Sequence, residues 1–513
     1  MNPWLIAVVV ALATFMEVLD TSIANVALPH IAGSLSAGQD ESTWVLTSYL
    51  VSNAIILPIS GWLSAAMGRK RFYMLCVLLF TLSSLACGMA TSLGMLIFFR
   101  VLQGLGGGGL QPTSQAIMVD TFEPRQRGMA FAIYGMATVV APAIGPTLGG
   151  WITDNFDWRW IFFINIPVGL VSIFLTYQLV HDPPYLKTQN SRGSIDYIGL
   201  GFIALGLGTL QIILDKGQRE DWFSSGFIVW ATVICVFSLV FAVVWELRVK
   251  APIVELRLLK ERNFATANIL MFFLGFVLLG STVLLPQLLQ SQMGYTATSA
   301  GMVLSPGGIE MLFLLPMVGM LLSRGVPPKF MITFGLIMGA SGLFLMQRFN
   351  LSVDFYHATM ARCVQAVGFA FLFVPLNTMA YAYLPPGKNN LASGLLNLSR
   401  NIGGGVGIAF STTMLARRAQ FHQNVLSAHT SSYDPAFVNT LETIREGLIA
   451  NGMSALDATS RASAMMYQQL TRQAAMLSYV DNFHLMALIF LAVIPLVLIT
   501  KTRKHAPVPT GGH

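Results

Sequence analysis

Charge is scarce in this sequence. Asp, Glu, Lys and Arg make up 10% of its 513 residues, whereas 54% are hydrophobic. An ordinary soluble domain carries about 25% charged residues. Thirty basic and 23 acidic side chains cannot cover a 55.8 kDa soluble particle, and the mean hydropathy is +0.65. Cysteine is scarcer still: Cys76, Cys87, Cys235 and Cys363 lie singly in apolar runs, with no CxxC and no metal-ligand spacing. These shortages exclude a soluble enzyme, a disordered chain and a secreted disulfide scaffold. The net charge of +7 fits basic membrane loops rather than a nucleic-acid partner.

What is abundant is long apolar sequence. A membrane helix needs about 20 apolar residues. Fourteen such spans are expected, near 4–28, 42–64, 71–90, 94–119, 129–152, 160–180, 196–214, 226–246, 265–289, 297–323, 329–347, 355–383, 390–416 and 481–500. The first has no basic leader and holds Glu17 and Asp20, so it is not read as a cleaved signal peptide. With the N-terminus inside, eighteen of the 30 Lys and Arg fall in cytoplasmic segments, among them Arg69, Lys70, Arg71, Arg125, Arg127, Lys187, Arg192, Lys250, Arg503 and Lys504. Only Arg159, Lys216, Arg219 and Arg348 fall in short outer loops. This bias predicts that both termini are cytoplasmic.

Two stretches repeat each other. The fourth span has Arg100 and Gln103, then glycines, Pro112 and Pro124. The twelfth has Arg362 and Gln365, then Gly368, Pro375 and Pro386. The Arg-to-Gln offset is 3 and the offset from Arg to the distal Pro is 24 in both. Two homologous bundles are implied, residues 1–182 and 264–513, separated by two extra helices in 183–263. Parallel repeats of this kind place a transport site at the midplane between the halves.

Several motifs carry a family resemblance. The turn Gly61-Trp-Leu-Ser-Ala-Ala-Met-Gly68-Arg69-Lys70-Arg71 resembles the loop motif of the major facilitator superfamily, although Ala65 stands where that motif has its Asp. Arg100 to Gly104 resembles the fourth-helix motif, and Gly135 to Gly150, with Pro142, Gly145-Pro146 and Gly149, the antiporter motif. Leu19-Asp20-Thr21-Ser22 through Pro29 resembles the first-helix signature of the 14-helix drug/proton antiporter branch, as does Trp158-Arg159-Trp160 through Pro167. The placement of the 417–480 segment is similar to that of the EmrB-type inner-membrane pumps. The resemblance implies an all-α major facilitator fold of two six-helix bundles plus two helices, without catalysis or cofactor. It also implies efflux of hydrophobic or cationic compounds driven by proton antiport. A periplasmic membrane-fusion adaptor and an outer-membrane channel are the partners it suggests, with 417–480 as either dock or solvated cap. Its helices 436–450 and 455–478 are expected to be amphipathic.

Ionisable groups deep in a membrane are costly and mark function by default. Six are read as lying deep in the membrane: Glu17, Asp20, Arg100, Glu310, Arg362 and Arg400. Glu17 and Asp20, three apart on one helix, point to one side and are suited to carry protons. At 1.5 Å per residue, Asp20 and Arg100 both lie about 10–13 Å below the outer surface. The resemblance makes their helices neighbours, so Asp20 either switches its pairing with Arg100 or forms a permanent ion pair. Glu310, with Glu17, Asn25 and Gln103, is a candidate contact for substrate or cation. Gly61, Gly68, Arg69, Pro142, Gly145, Pro146 and Gly149 are candidate gating and bending positions. Arg362 and Arg400 read as structural.

Gly104-x-Gly106-x-x-Gly109 matches a dinucleotide pattern but follows no strand, so close helix packing is the expected role. No nucleotide-binding motif is present, which leaves a gradient as the expected energy source. The rival readings are a dedicated exporter of an endogenous lipid or siderophore, an importer, a membrane-embedded enzyme, and a non-transporting receptor or scaffold. The enzyme needs a site that His30, His181, His357, His422, His429, His484, His505 and His513 do not supply by spacing.

Overall fold

The computed structural model describes residues 2–182, 196–249, 252–385, 388–428, 430 and 433–501. Lys187, Arg192, Lys250, Pro386, His429, Arg503, Lys504, His505 and His513 lie outside the described residues. Fourteen long helices run through the rest: α1 (Pro3–Ser34), α2 (Trp44–Met67), α3 (Arg69–Gly88), α4 (Leu93–Thr121), α5 (Arg127–Asn155), α6 (Trp160–Leu179), α7 (Tyr197–Lys216), α8 (Gly226–Arg248), α9 (Arg262–Met293), α10 (Ala297–Ser323), α11 (Pro328–Gln347), α12 (Phe355–Ala380), α13 (Asn389–Ser427) and α14 (Ala455–Leu498). Twelve are long and apolar enough to cross a membrane, and the bent helix α5 makes a thirteenth. Helix α13 is the most polar of the set because it carries Asn389, Asn390, Asn397, Arg400 and Asn401. A bilayer core offers no water to free amides, so side chains close several helix starts. Asn2 caps α1, Ser92 α4, Glu261 α9, Thr296 α10 and Asp354 α12.

The helices form two six-helix bundles plus α7 and α8. In the first bundle α1 packs on α5 and α6, α2 on α4, and α3 on α4 and α6. Eight helices later the same pairs recur: α9 on α13 and α14, α10 on α12, and α11 on α12 and α14. The bundles meet through α5 against α10 and α2 against α13, which exchange under the same eight-helix shift. Helix α7 leans on α2 and α13. Lys216 donates to Thr43 of α2 at 2.7 Å, Asp215 accepts from Thr47 of α2, and Trp222, just past α7, donates to Thr413 of α13 at 3.1 Å.

Glycine makes the tight crossings possible. A Cβ on Gly403 would fall 2.0 Å from the Phe272 carbonyl oxygen, and one on Gly407 2.1 Å from that of Phe276, so α9 and α13 touch backbone to backbone. The Gly104–Gly109 run does the same for α4: Gly104 lies against Tyr49 and Ser52 of α2, and Gly106 against Cys76 and Phe80 of α3. Packing, not phosphate binding, occupies this motif. Gly145 and Gly149 abut Ser22 and Ile23 of α1, and α5 bends by 45° at Pro142, just before this contact.

The ends of the molecule differ. Arg69, Asp120, Glu255, Lys388 and Lys501 gather at one end, here termed the basic end. Arg69 of α3 pairs with Asp120 of α4 and donates to the Ala116 carbonyl at 3.2 Å. Asp120 also accepts from Asn389 of α13 at 2.6 Å, so one carboxylate ties both bundles. Position 65 itself is Ala, so the acid at this end comes from α4. Asn390 of α13 donates to Ser64 of α2 at 3.1 Å, and Gly61 packs where a Cβ would sit 2.9 Å from the Asn390 carbonyl. Gly68 turns the chain into α3 with φ +87°, which frees the Lys70 amide to donate to Asp182 at 2.8 Å.

At the far end, the 417–480 segment is not a separate unit. Helix α13 runs on to Ser427, and the stretch from Ala455 is continuous with the last span. The expected helix at 436–450 is present as Pro435–Ala450 and packs on α14. The two long helices therefore project from the bundle, with Arg418 and His422 of α13 held to Asp481 of α14 at 2.6 and 2.8 Å.

Two outcomes test this packing. Gly403→Val overfills the α9–α13 crossing and should cost about 1–3 kcal/mol, read as a lowered unfolding temperature in detergent. Gly201→Ala, with open space around its Cβ, should leave that temperature unchanged. Asp120→Ala removes a half-buried charged partner shared by both bundles, a loss of about 1.5 kcal/mol from the closed basic end. Maleimide labelling of a cysteine placed at the buried Ser393 should then quicken about tenfold; an unchanged rate would show that this carboxylate does not hold the end shut.

Candidate functional site

The first bundle encloses a charged cluster. Arg100 is fully buried and its Nη1 donates to Asp20 Oδ2 at 2.6 Å. The same nitrogen reaches Gln103 Oε1 at 2.8 Å, and Nε donates to the Val45 carbonyl at 3.1 Å. The guanidinium lies 4.3 Å from the Tyr49 ring centroid and 5.6 Å from that of Phe162, a cation–π sandwich. The other Asp20 oxygen accepts from Gln103 at 3.0 Å and from Asn165 at 2.7 Å. Asn165 also donates to Ser84, which donates to the Phe162 carbonyl at 2.9 Å. The expected Asp20–Arg100 meeting is present. Gln103, read from the sequence as a substrate contact, is instead sealed inside this cluster with no exposed surface.

Glu17 belongs to a second network. It points at the surface between the bundles, where Tyr49 and Asn53 donate to Oε1 at 3.1 and 3.2 Å and Gln111 donates to Oε2 at 2.5 Å. The Gln111 oxygen in turn accepts from Arg400 of the second bundle. Asn401 reaches Asn53 at 3.4 Å. Glu17 and Asp20 share no hydrogen-bond partner, so the pair read as one unit is divided between two environments. Tyr49 joins them: its hydroxyl holds Glu17 while its ring backs Arg100. Arg400, read as an anchor between helices, stands one side chain from Glu17 across the interface.

Toward the basic end from Glu17, the interface is closed by polar and aromatic contacts. Gln115 donates to Asn377 at 3.3 Å and accepts from Asn397 at 2.7 Å and from Tyr381 at 3.3 Å. Phe131 stacks on Tyr381 at 5.6 Å and Tyr134 on Phe373 at 6.0 Å. Toward the far end, Asn25 is exposed two turns from Glu17 on the same stripe of α1, through Thr21.

Glu310 is not part of either network. It lies on α10 against the Cys363 thiol of α12, and its Oε2 is buried without a partner among the described residues. Arg362 is held by Gln365 at 2.7 Å, Ser281 at 3.3 Å and Thr282 at 3.0 Å. Sequence reasoning missed Tyr49, Gln111, Asn165 and Asp120. Only Asp120 carried a signal, an acid near the end of a span that also holds Arg100.

Comparison with known proteins follows from this geometry. The family model described as Major Facilitator Superfamily matches residues 10–408. The chain is 39% identical over 510 residues to "Multidrug export protein EmrB" of Escherichia coli (strain K12), covering 99% of this chain and 97% of that protein. It is 35% identical to "Fatty acid resistance protein FarB" of Neisseria gonorrhoeae, covering 98% of this chain and 96% of that one. Among solved structures, the proton:xylose symporter XylE superposes with a TM-score of 0.58 at 14% identity, covering 96% of each chain. The human organic anion transporter MFSD10 gives 0.60 at 12% identity, covering 96% of this chain and 100% of that one; both likenesses concern the fold alone. With its paired bundles, a family model over most of its length and relatives matching it from end to end, the chain belongs to the major facilitator superfamily.

Proposed function

We propose that this protein is a drug efflux transporter that exchanges protons for hydrophobic or cationic compounds by alternating access. It works in the bacterial inner membrane with both termini in the cytoplasm, which makes the basic end the cytoplasmic face. Residues 1–182 rock against 264–500, and 183–263 supplies the two extra helices beside them. The observation that carries the reading is the buried Asp20–Arg100 pair beside the interface that Glu17 faces. Likeness to EmrB along the whole chain supports the direction of transport.

The chemistry follows from what each group can do. Arg100 never gives up its proton, so the pair changes charge only at Asp20. A proton arriving from the far end neutralises Asp20 and cancels its attraction for Arg100. The guanidinium keeps Val45 and Gln103, and α1 is freed to move against α4. Tyr49 carries that shift to Glu17. A cationic substrate reaching Glu17 competes with Gln111 and so loosens the tie to Arg400 of the other bundle. Asn25 lies on the exit side of Glu17, and Glu310 offers a second acid to a cation or proton. Gly61, Gly68 and Arg69 hold the cytoplasmic latch, while Pro142, Gly145, Pro146 and Gly149 let α5 bend against α1. The projecting ends of α13 and α14 are the surface offered to a periplasmic membrane-fusion adaptor, which would lead to an outer-membrane channel. A dedicated exporter of a lipid-like compound is the second reading, favoured by the likeness to FarB.

In proteoliposomes with an imposed pH gradient, Asp20→Asn should abolish gradient-driven efflux of a fluorescent cationic dye while insertion and dye binding persist. Glu17→Gln should weaken cation binding about tenfold, the loss of one charged contact of moderate strength. Efflux at the parent rate by Asp20→Asn would overturn the proton-carrier assignment.

A further inference from the structure

The two halves hold one device built twice, with a different charge in each. In the first bundle, Arg100 binds Asp20, which lies 80 residues earlier on α1, and Gln103 binds the same carboxylate. In the second, Arg362 binds Thr282, which also lies 80 residues earlier, on α9. Ser281 beside it receives both Arg362 and Gln365, at 3.3 and 3.1 Å. Arg362 and Gln365 are linked at 2.7 Å, as Arg100 and Gln103 are at 2.8 Å. A ring backs each guanidinium, Phe369 at 5.7 Å in the second half. The geometry is conserved within the molecule, and the acid is not.

Three neutral oxygens accept from the Arg362 Nη1 and Nη2 groups but do not balance its charge. Burying a guanidinium without a counter-ion is expensive. Among the described residues no carboxylate is within ion-pair distance of it. Glu310 lies on the helix packed against its stem through Gly307, beside the Cys363 thiol, and forms no ion pair with the arginine. The two arginines also differ in access: Arg100 has no exposed surface, whereas Arg362 keeps 6%. The second bundle thus carries a fixed positive charge ringed by neutral hydroxyl and amide oxygens, at the depth where the first bundle carries its own carboxylate.

We propose that Arg362, with Ser281, Thr282 and Gln365, is a binding position for the carboxylate of an amphiphilic organic anion, which supplies the charge that Asp20 supplies in the other half. This deepens the efflux reading and rests on it for the fate of the ligand. The Arg362 guanidinium donates to the carboxylate, which displaces one of its neutral oxygens. The Ser281 and Thr282 hydroxyls stay donated to the Leu278 carbonyl, and the apolar tail runs among the aliphatic and aromatic side chains of α9 and α12. The substrates then fall into two charge classes met by opposite halves: cations at Glu17 and carboxylates at Arg362.

The test is binding to the full-length protein in lipid nanodiscs without a gradient, by isothermal titration calorimetry, with decanoate as probe. Decyltrimethylammonium is the chain-matched cation and sodium phosphate the inorganic competitor. Arg362→Gln should weaken decanoate about tenfold or more, the scale of one charge-assisted contact. Decyltrimethylammonium should bind both proteins alike. Arg362→Lys should retain part of the decanoate affinity. Ser281→Asp keeps the arginine but fills the vacancy from within, so it should weaken decanoate as much as Arg362→Gln does. That variant keeps the test decisive if the glutamine form does not fold. Decanoate binding at parent strength in Arg362→Gln or Ser281→Asp would overturn the proposal. So would absence of decanoate binding to the parent, or displacement of decanoate by phosphate at equal concentration. Failure of the efflux reading registers elsewhere, as a parent protein that moves no compound against a pH gradient.

Discussion

A guanidinium with no route to water sets the terms for the first bundle. Arg100 cannot deprotonate, so the chain around it must supply charge, hydrogen bonds and polarisable surface. Asp20 comes from α1, the Val45 carbonyl and Tyr49 from α2, Gln103 from α4 itself, and Phe162 from the start of α6. Asn165 of α6 and Ser84 of α3 complete the shell around Asp20. Five of six helices in the bundle converge on one charge. Removing one partner of such a buried pair costs about 3–5 kcal/mol, because the other is left uncompensated. In the proposed mechanism, that cost is what would let the protonation of one carboxylate do mechanical work.

The eight-helix shift that relates the bundles preserves contacts but not charge. The same helix pairs pack in both halves, and an Arg–Gln step on α4 or α12 faces oxygen on α1 or α9 in both. Only the first half has an acid there. Identical packing thus carries unequal charge, although nothing in the helix geometry distinguishes the halves. The ties between halves also lie unevenly. Asp120–Asn389, Ser64–Asn390 and the Gln115 cluster all stand on the basic side of Glu17. On the other side, α7 reaches both α2 and α13.

Much of this was legible in the amino-acid sequence, and the unread part has a common cause. Apolar length marks the spans, and the rarity of buried charge singles out Asp20 and Arg100. Close glycine spacing announces the packing of α4. Partners chosen by helix rotation are not encoded locally. Gln111 meets Arg400 across 289 positions, and Asp120 reaches Asn389 across 269, each through a crossing that no single span specifies. Arg69 illustrates this: its acid partner, Asp120, comes from α4, where position in the loop motif gives no hint. Gln103 misleads in the opposite sense, since a polar side chain on a cavity-lining helix reads as a ligand contact until its neighbours are known. The last two spans mislead by length. Hydropathy ends them at the membrane surface, whereas backbone hydrogen bonding carries α13 and α14 well past it.

Tyr49 decides whether the two acids act together. Its hydroxyl is a donor to Glu17, so that bond is strongest while Glu17 is ionised. Its ring stabilises Arg100 through the quadrupole, a contact that matters most when Asp20 no longer neutralises the guanidinium. Ionised Glu17 therefore holds the ring in the position that protonated Asp20 requires. In the proposed exchange, a cation bound at Glu17 would weaken that hold and restore the advantage of the ionised Asp20–Arg100 pair. Substrate at one acid would then favour proton loss at the other, which is the exchange an antiporter must enforce. The coupling passes through one rigid side chain, and neither carboxylate has to approach the other.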